Sequence, residues 1–354
     1  MLFNIESDGG NIVSGYLIPD GFSETPHIRV SDDNGEIGVF ACNDVRPQVT
    51  SSGRHETGMV GFRLDDSLIP NLAERQNLKI RDAKSDVLIY KRMTAATPIA
   101  RKIIRLETQL LPMIRFDQHC GRHFQYELYS AERLGHETTL QVFHLNAVDS
   151  IYLSGRLLMR NYEEFLGKGF EGVVLLPDPY YEMAVRIFLL KRMAKAPVSF
   201  IGERDKLILG SAAEYFSNAD LDDFGSLRSL LKKAPSKVSG VLTSPTTRQL
   251  TTTTPEQRIS RRDIAPAIDL LSRFSIVGHH EAPDSFQHAI GEMLNIPVDD
   301  LVVPPQQMLL KGLADKLRLL PIAELMLEED LIFDHYVRQA INSSRPQSWS
   351  NDAS

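Results

Sequence analysis

The stretch "VVLLPDPYYEMAVRIFLLKRMAK" (173–195) sets four consecutive apolar residues directly before a Pro-Asp-Pro turn, and then a run with apolar residues at helical spacing. It reads as a buried strand, a tight turn and a helix carrying Arg186, Lys191 and Arg192. An unbroken apolar strand needs cover on both faces, which points to a parallel sheet with helices on either side. Arg186 and Arg192 are too far apart in angle to share one helix face, so some of these cations are solvated charge.

Flanking segments extend the alternation of strands and helices. "LETQLLPMIRFD" can supply a strand ending near Phe116, and "GRHFQYELYSAERLG" has helical spacing with a terminal glycine. "TTLQVFHL" reads as a strand, "IYLSGRLLMRNYEEFLGKG" as a helix, "DIAPAIDLLSRF" as an amphipathic helix, "SIVG" as a short strand and "DSFQHAIGEMLNI" as a helix. Residues 1–92 differ: "HIRVS", "EIGVFAC", "MVGFRLD" and "DVLIYKR" are short alternating segments separated by turn formers such as Asp33-Asn34-Gly35, the pattern of a small antiparallel β domain. The expected organisation is a β-sandwich-like domain over 1–92, an α/β domain over 93–340 and a disordered tail over 341–354 containing Trp349. Between the helices, 235–262 is rich in threonine and serine, basic and poor in apolar periodicity. It is expected to be a long surface loop, with "TSPTTRQLTTTTPEQRIS" (243–260) at its centre.

At 354 residues the chain is long enough for one large domain and a smaller one, and 42% hydrophobic with 24% charged residues is the balance of a folded protein. A net charge of −7 argues against a protein that coats nucleic acid. Cys42 and Cys120 are the only cysteines, which excludes a disulfide scaffold and a thiolate-only zinc site. The first residues carry acids and glycines instead of a basic start and an apolar run, and no stretch approaches the ~20 apolar residues that span a bilayer. The expectation is a cytoplasmic chain with no transmembrane segment, any membrane association being peripheral.

In an open α/β sheet, ligands sit beyond the carboxyl ends of the strands. The first such handover is "FDQHCGRHF" (116–124), where His119, Gly121, Arg122 and His123 surround an expected helix start whose amides would receive phosphate or sulfate. His119 and His123, four apart, could face one metal with Cys120, but no second pair at ligand spacing lies nearby and no metal site is expected. His279-His280-Glu281 is a second such group. The next handover places His144 just past a strand, where a histidine can act as general base.

Taken in order, "FDQHCGRHF", "VFHLNAV", "LLPDPYYEMAVRIF", "SPTTRQLTTTT" and "LLSRFSIVGHHEAPDSFQHAIGEMLNIP" resemble the motifs of the carbohydrate sulfotransferases, over about residues 108–300. The resemblance implies a P-loop-type α/β fold and transfer of sulfate from 3'-phosphoadenosine 5'-phosphosulfate to a sugar hydroxyl. In that family the histidine after the second strand is the base, which falls on His144; the arginine of the T-R-x-L motif falls on Arg248. Arg122 and Arg186 would join His119, Gly121, His123 and Arg248 around the donor. The chain departs from the pattern with Gln118 and Arg122 in the phosphosulfate loop, Pro177 for the arginine of R-D-P, and Val185 for the helix serine. Losing two or three charge-assisted hydrogen bonds of roughly 1.5–3 kcal/mol each would weaken donor binding by orders of magnitude.

Arg46-Pro47 and Gly61-Phe62 carry a shorter similarity to a β-sandwich module found beside bacterial polysaccharide-modifying transferases. Together the two resemblances imply a role in bacterial surface polysaccharide or glycolipid synthesis, with a carbohydrate or glycolipid acceptor and polysaccharide-assembly proteins as partners. Three forms are open: an active sulfotransferase, a catalytically inactive fold serving as an interaction or regulatory module, and a transferase that uses another anionic donor through the altered loop.

Overall fold

The computed structural model describes residues 1–92, 98–145 and 148–344. Ala95, Asn146, Ala147 and residues 345–354 with Trp349 fall outside the described residues, whereas 341–344, expected as the start of a disordered tail, are the end of a helix over Glu328–Ser344. The chain divides into two compact units: Met1–Lys102 with Cys120–Leu128 and Leu134–Leu153, and Ile103–His119 with Tyr129–Arg133 and Ser154–Ser354.

The N-terminal residues form two four-stranded antiparallel sheets. Strands β1 (Leu2–Asp8), β2 (Ile12–Ile18), β5 (Asp44–Val45) and β6 (Met59–Asp65) lie in the order β1-β2-β6-β5. Strands β3 (His27–Asp32), β4 (Gly35–Ala41), β7 (Lys79–Asp82) and β8 (Leu88–Lys91) lie in the order β4-β3-β7-β8. A short helix, α1 (Pro47–Ser51), follows β5. Alternation decides which face is buried: Val13, Leu17, Val60, Phe62 and Leu64 in the first sheet, and Ile28, Val30, Ile80 and Leu88 in the second, are almost fully withdrawn from solvent. Asp32 and Gly35 face each other across the β3–β4 turn, and the Asn34 amide donates to Asp32 Oδ1 at 2.8 Å. The Arg92 guanidinium grips Asp8 with two bonds of 2.6 and 2.7 Å.

The larger sheet is parallel, five-stranded and flanked by helices. It is built from β9 (Lys102–Leu106), β10 (Tyr126–Leu128), β11 (Ile151–Gly155), β12 (Phe170–Leu176) and β13 (Ile276–His279) in the order β10-β11-β9-β12-β13. Its helices are α2 (Ile114–Gly121), α3 (His136–Phe143), α4 (Pro179–Met193), α5 (Glu203–Phe216), α6 (Phe224–Lys233), α7 (Ser236–Leu242), α8 (Pro245–Thr251), α9 (Ile264–Ser272), α10 (Pro283–Leu294), α11 (Met308–Arg318), α12 (Pro321–Met326) and α13 (Glu328–Ser344). Helices α4, α5, α6, α7, α11 and α12 share one apolar core, in which Val185, Ile187, Leu190, Phe216, Leu227 and Leu317 are buried. Helix α4 is buried on most sides, which is why its sequence is apolar almost throughout.

The strand order fixes where a ligand could sit. The chain leaves β9 toward β10 on one side and leaves β12 toward β13 on the other. Adjacent strands whose exits diverge leave a crevice between their carboxyl ends, here between β9 and β12.

The strand over 173–176, its following helix, β13, α9 and α10 lie where the sequence places them. Several other segments do not. The first parallel strand is "KIIRL", and Phe116 lies inside α2. "TTLQVFHL" is helix α3, not a strand. "IYLSG" is β11, followed by two short 3-10 turns, not a helix. "GRHFQYELYSAERLG" holds strand β10 and a 3-10 turn over Ala131–Arg133, again not a helix. The errors share a cause: a short run buried on both sides has no period to distinguish strand from helix.

The threonine-rich segment is not one long surface loop. It contains α7 and α8, and Pro245, Thr246, Thr247, Gln249, Leu250 and Thr252 are buried. Threonine hydroxyls return to carbonyls of the same chain: Thr251 Oγ1 donates to Thr247 O and Thr252 Oγ1 to Arg248 O, at 2.8 and 2.9 Å. With those hydroxyls satisfied internally, a polar sequence can be packed away from water.

Candidate functional site

The crevice between β9 and β12 opens where Glu107, Thr108, Gln109 and Leu110 follow β9. Thr108 Oγ1 donates to Leu175 O of β12 at 3.1 Å, pinning the two strand ends together. The loop then closes around its own carboxylate. Glu107 Oε1 accepts from the Gln109 amide at 3.1 Å, and Oε2 accepts from the Met113 amide at 2.9 Å and from Arg105 Nη2 at 3.0 Å. Arg105, itself buried, pairs with both oxygens of Asp117 on α2. A loop from a strand to a helix presents amides suited to phosphate; here a glutamate of the loop occupies them.

A second carboxylate takes the amide between those two. Glu182, in the first turn of α4, is wholly buried, and its Oε1 accepts from Leu110 N at 3.1 Å and from Arg186 Nε at 2.7 Å. Its Oε2 is buried with no hydrogen-bond partner. Burial pushes the Glu182 carboxyl up to about 7, against the opposing pull of Arg186 and the Leu110 amide. The loop's carbonyls are also engaged: Gln249 Nε2 donates to Glu107 O at 2.7 Å, and Arg156 Nη1 to Leu110 O at 3.2 Å.

The Pro-Asp-Pro turn has a helix-starting role. Asp178 is the N-cap of α4, accepting from Tyr181 N at 3.0 Å, and Pro179 occupies the first turn, where a missing N–H costs nothing. Asp178 Oδ2 also pairs with Arg318 at 2.8 Å and Arg338 at 3.3 Å.

Arg186 lies close enough to Arg248 for its charge to be felt there. Both grip carbonyls at the end of α7: Arg186 Nη1 donates to Val241 O at 3.3 Å, Arg248 Nη1 to Gly240 O, and Arg248 Nη2 to Thr243 O at 3.2 Å. Cations at a helix C-terminus complement its carbonyls and dipole. Burial, with the neighbouring Arg186 charge, draws the Arg248 value below the usual arginine range. The amides opening α8 are occupied too. Asp330 of α13 accepts from Thr246 N at 3.0 Å and Thr247 N at 2.7 Å, and burial raises its carboxyl value despite those bonds.

The other sequence-derived candidates lie elsewhere. His119 and Gly121 occupy the last turn of α2, with Arg122 and His123 just beyond it. The expected helix start at 116–124 is therefore a helix end, where carbonyls instead of amides face outward and an anion gains nothing from the dipole. His119 Nε2 lies 3.8 Å from Asp300, and Arg122 Nε donates to His123 Nε2 at 3.3 Å. His144 is exposed and caps the C-terminus of α3; it does not follow a strand. Among the described residues no group of three or more His, Cys, Asp or Glu is placed to hold a metal.

The histidines at the end of β13, His279 and His280, are held by contacts within the protein. His279 is buried; its Nδ1 accepts from Glu281 N at 3.2 Å and its Nε2 lies 3.1 Å from Asp334. His280 Nε2 meets Gln109 Nε2 at 2.7 Å, so the histidine is the acceptor. Burial, helped by His279, pulls the His280 value down to about 4 and keeps the ring neutral.

Sequence reasoning missed the groups that fill the site: Glu107, Glu182 and Asp330. The available signal was an acid set among apolar residues, as in "RLETQLL" and "YYEMAV", because a charge inside a buried pattern needs dedicated partners. Comparison of the chain with protein-family models, curated proteins and solved structures finds no match.

Proposed function

We propose that this chain is a catalytically silent protein of sulfotransferase-like fold that acts as an interaction or regulatory module in the assembly of bacterial surface polysaccharide. The observation that carries this reading is the occupancy of the crevice. The Gln109, Leu110 and Met113 amides, which would cradle a donor phosphate, bind Glu107 and Glu182 instead. The Thr246 and Thr247 amides beside Arg248 bind Asp330 in the same way. A carboxylate in each seat repels the negative charge of 3'-phosphoadenosine 5'-phosphosulfate. His144, the residue that the resemblance makes the base, is an exposed helix cap. The polysaccharide setting rests on the similarity carried by Arg46-Pro47 and Gly61-Phe62.

Calorimetric titration with adenosine 3',5'-bisphosphate tests this. The expected outcome is no binding at millimolar ligand. Micromolar binding that disappears in Arg248→Ala would overturn the silent reading and reinstate transfer of sulfate to a carbohydrate or glycolipid hydroxyl.

A further inference from the structure

Helix α11 (Met308–Arg318) is amphipathic, but its outer face is not simply polar. Leu310, Leu313, Ala314 and Leu317 are buried in the core that α11 shares with α4. Helical spacing then turns Met308, Gly312, Asp315 and the C-cap residue Leu319 outward in one line, and all four are exposed. Met308 is 80% exposed and Leu319 72%, with Leu309 at 64% beside the first and Leu325 of α12 at 66% beyond the second. Large apolar side chains left this far in water within one short stretch mark an interaction surface.

The middle of the line is as telling as its ends. A glycine inside a helix costs stability relative to alanine, yet Gly312 stands there, and an added Cβ would meet nothing within 4 Å. No neighbour among the described residues calls for the glycine; what its missing side chain provides is room for another helix to approach from outside. Lys311 is exposed, and its side chain makes no ion pair or hydrogen bond among the described residues. Asp315 is 70% exposed and held on one side only, by Arg318 at 2.7 Å.

We infer that α11 packs antiparallel on α11 of a second copy of this chain across a two-fold axis, making the protein a dimer. In a two-fold contact a surface meets itself, so its pattern must match when read in both directions. This face does. An axis at the level midway between Leu313 and Ala314 sets Met308 against Leu319 of the partner subunit and Gly312 against Asp315 of the partner subunit, each twice. Lys311, next to Gly312, then reaches the partner's Asp315. Lys316, which the same axis places opposite Lys311, is drawn aside: its Nζ donates to Leu221 O and Asp222 O at 3.2 and 3.1 Å. A bilayer suits the face less well, because Asp315 and the exposed Glu324 of α12 lie among the apolar residues and would carry their charge into lipid. An unrelated protein gives no reason for the symmetric spacing. This inference goes beyond the crevice reading and does not depend on it.

Sedimentation equilibrium of the full chain tests it. The mass should rise from 39.8 kDa toward twice that value between about 1 and about 200 μM, the range of a small, reversible interface. Leu319→Glu should raise the dissociation constant at least about tenfold. Gly312→Gln should do the same while leaving the monomer no easier to unfold in urea, because glutamine is the better helix former and its Cβ has open space. Lys311→Glu should weaken the dimer, and adding Asp315→Lys should restore it. Leu207→Glu, at an 86% exposed leucine of α5, should leave it intact. A monomer at every concentration, or a dimer indifferent to Gly312→Gln or Leu319→Glu, would overturn the inference. So would a monomer that pellets with phosphatidylglycerol vesicles and loses this binding in Leu319→Glu. Bisphosphate binding bears only on the crevice and leaves this result unchanged.

Discussion

Replacing Glu182 with glutamine isolates what it costs to keep a carboxylate inside the crevice. Burial raises the Glu182 value to about 7 from its ordinary 4.5, with Arg186 and the Leu110 amide only partly offsetting it. Between those values the native protein holds one proton that the unfolded chain has released, so stability falls as pH rises, by about 1.4 kcal/mol per unit. The contribution is fully present below about pH 4.5 and is lost as pH passes about 7. Integrated between pH 5 and pH 8 it amounts to roughly 2–3 kcal/mol. Glutamine has the shape of the protonated acid, can accept the same bonds from Leu110 N and Arg186 Nε, and does not titrate. Urea unfolding of both proteins at pH 5, 6, 7 and 8 should therefore show the variant gaining roughly 2–3 kcal/mol on the wild type across the series, other titrations cancelling in the difference. A difference flat to within about 0.5 kcal/mol would refute the reasoning and place the ionised carboxylate in a more polar setting than these contacts describe.

Two further outcomes test neighbouring parts of the same unit. Asp330→Ala should lower unfolding free energy by about 3 kcal/mol, because it strips the Thr246 and Thr247 amides of their buried acceptor; urea denaturation reads the loss, and a change below about 0.5 kcal/mol would contradict the burial of that contact. His280, held neutral by burial with its Nε2 accepting from Gln109, should show no imidazole titration between pH 5.5 and 8 and should carry its proton on Nδ1, both visible in nitrogen-correlated NMR of the ring.

What could be read from the sequence depended on whether a segment left a period or a punctuation mark. The residues after Val173 gave both, an apolar run ended by prolines and then a helical spacing, and β12 and α4 follow them. The alternating N-terminal segments were legible for the same reason, since one face of each sheet is wet and the other dry. "TTLQVFHL" and "IYLSG" were not, because at five to eight residues a buried helix and a buried strand look alike. Misplacing the first parallel strand by ten residues moved the site with it: the anion seat was sought at "FDQHCGRHF", while the crevice lies at "ETQL", just after Leu106. Arg186 and Arg248, separated by 62 positions in sequence, both hold carbonyls at the end of α7, and those carbonyls have no sequence signature.

The silent reading turns on competition, and its physics can be carried one step further. Glu107 is two residues from the amide it caps at Gln109, so it meets that amide as an intramolecular partner. Tethered groups act at effective concentrations of about millimolar when loosely held, and far higher when oriented. An external phosphate can use the loop only in the fraction of molecules where the carboxylate has swung out, and its apparent dissociation constant rises by the inverse of that fraction. If about one molecule in a thousand is open, a site of micromolar intrinsic affinity becomes a millimolar one. Swinging Glu107 out also takes from buried Arg105 its 3.0 Å contact with Glu107, so the open state forfeits a buried charge contact before any ligand arrives. The seat is thus closed by the same residue that holds the loop together, and opening it for a donor would unmake the loop that was to bind it.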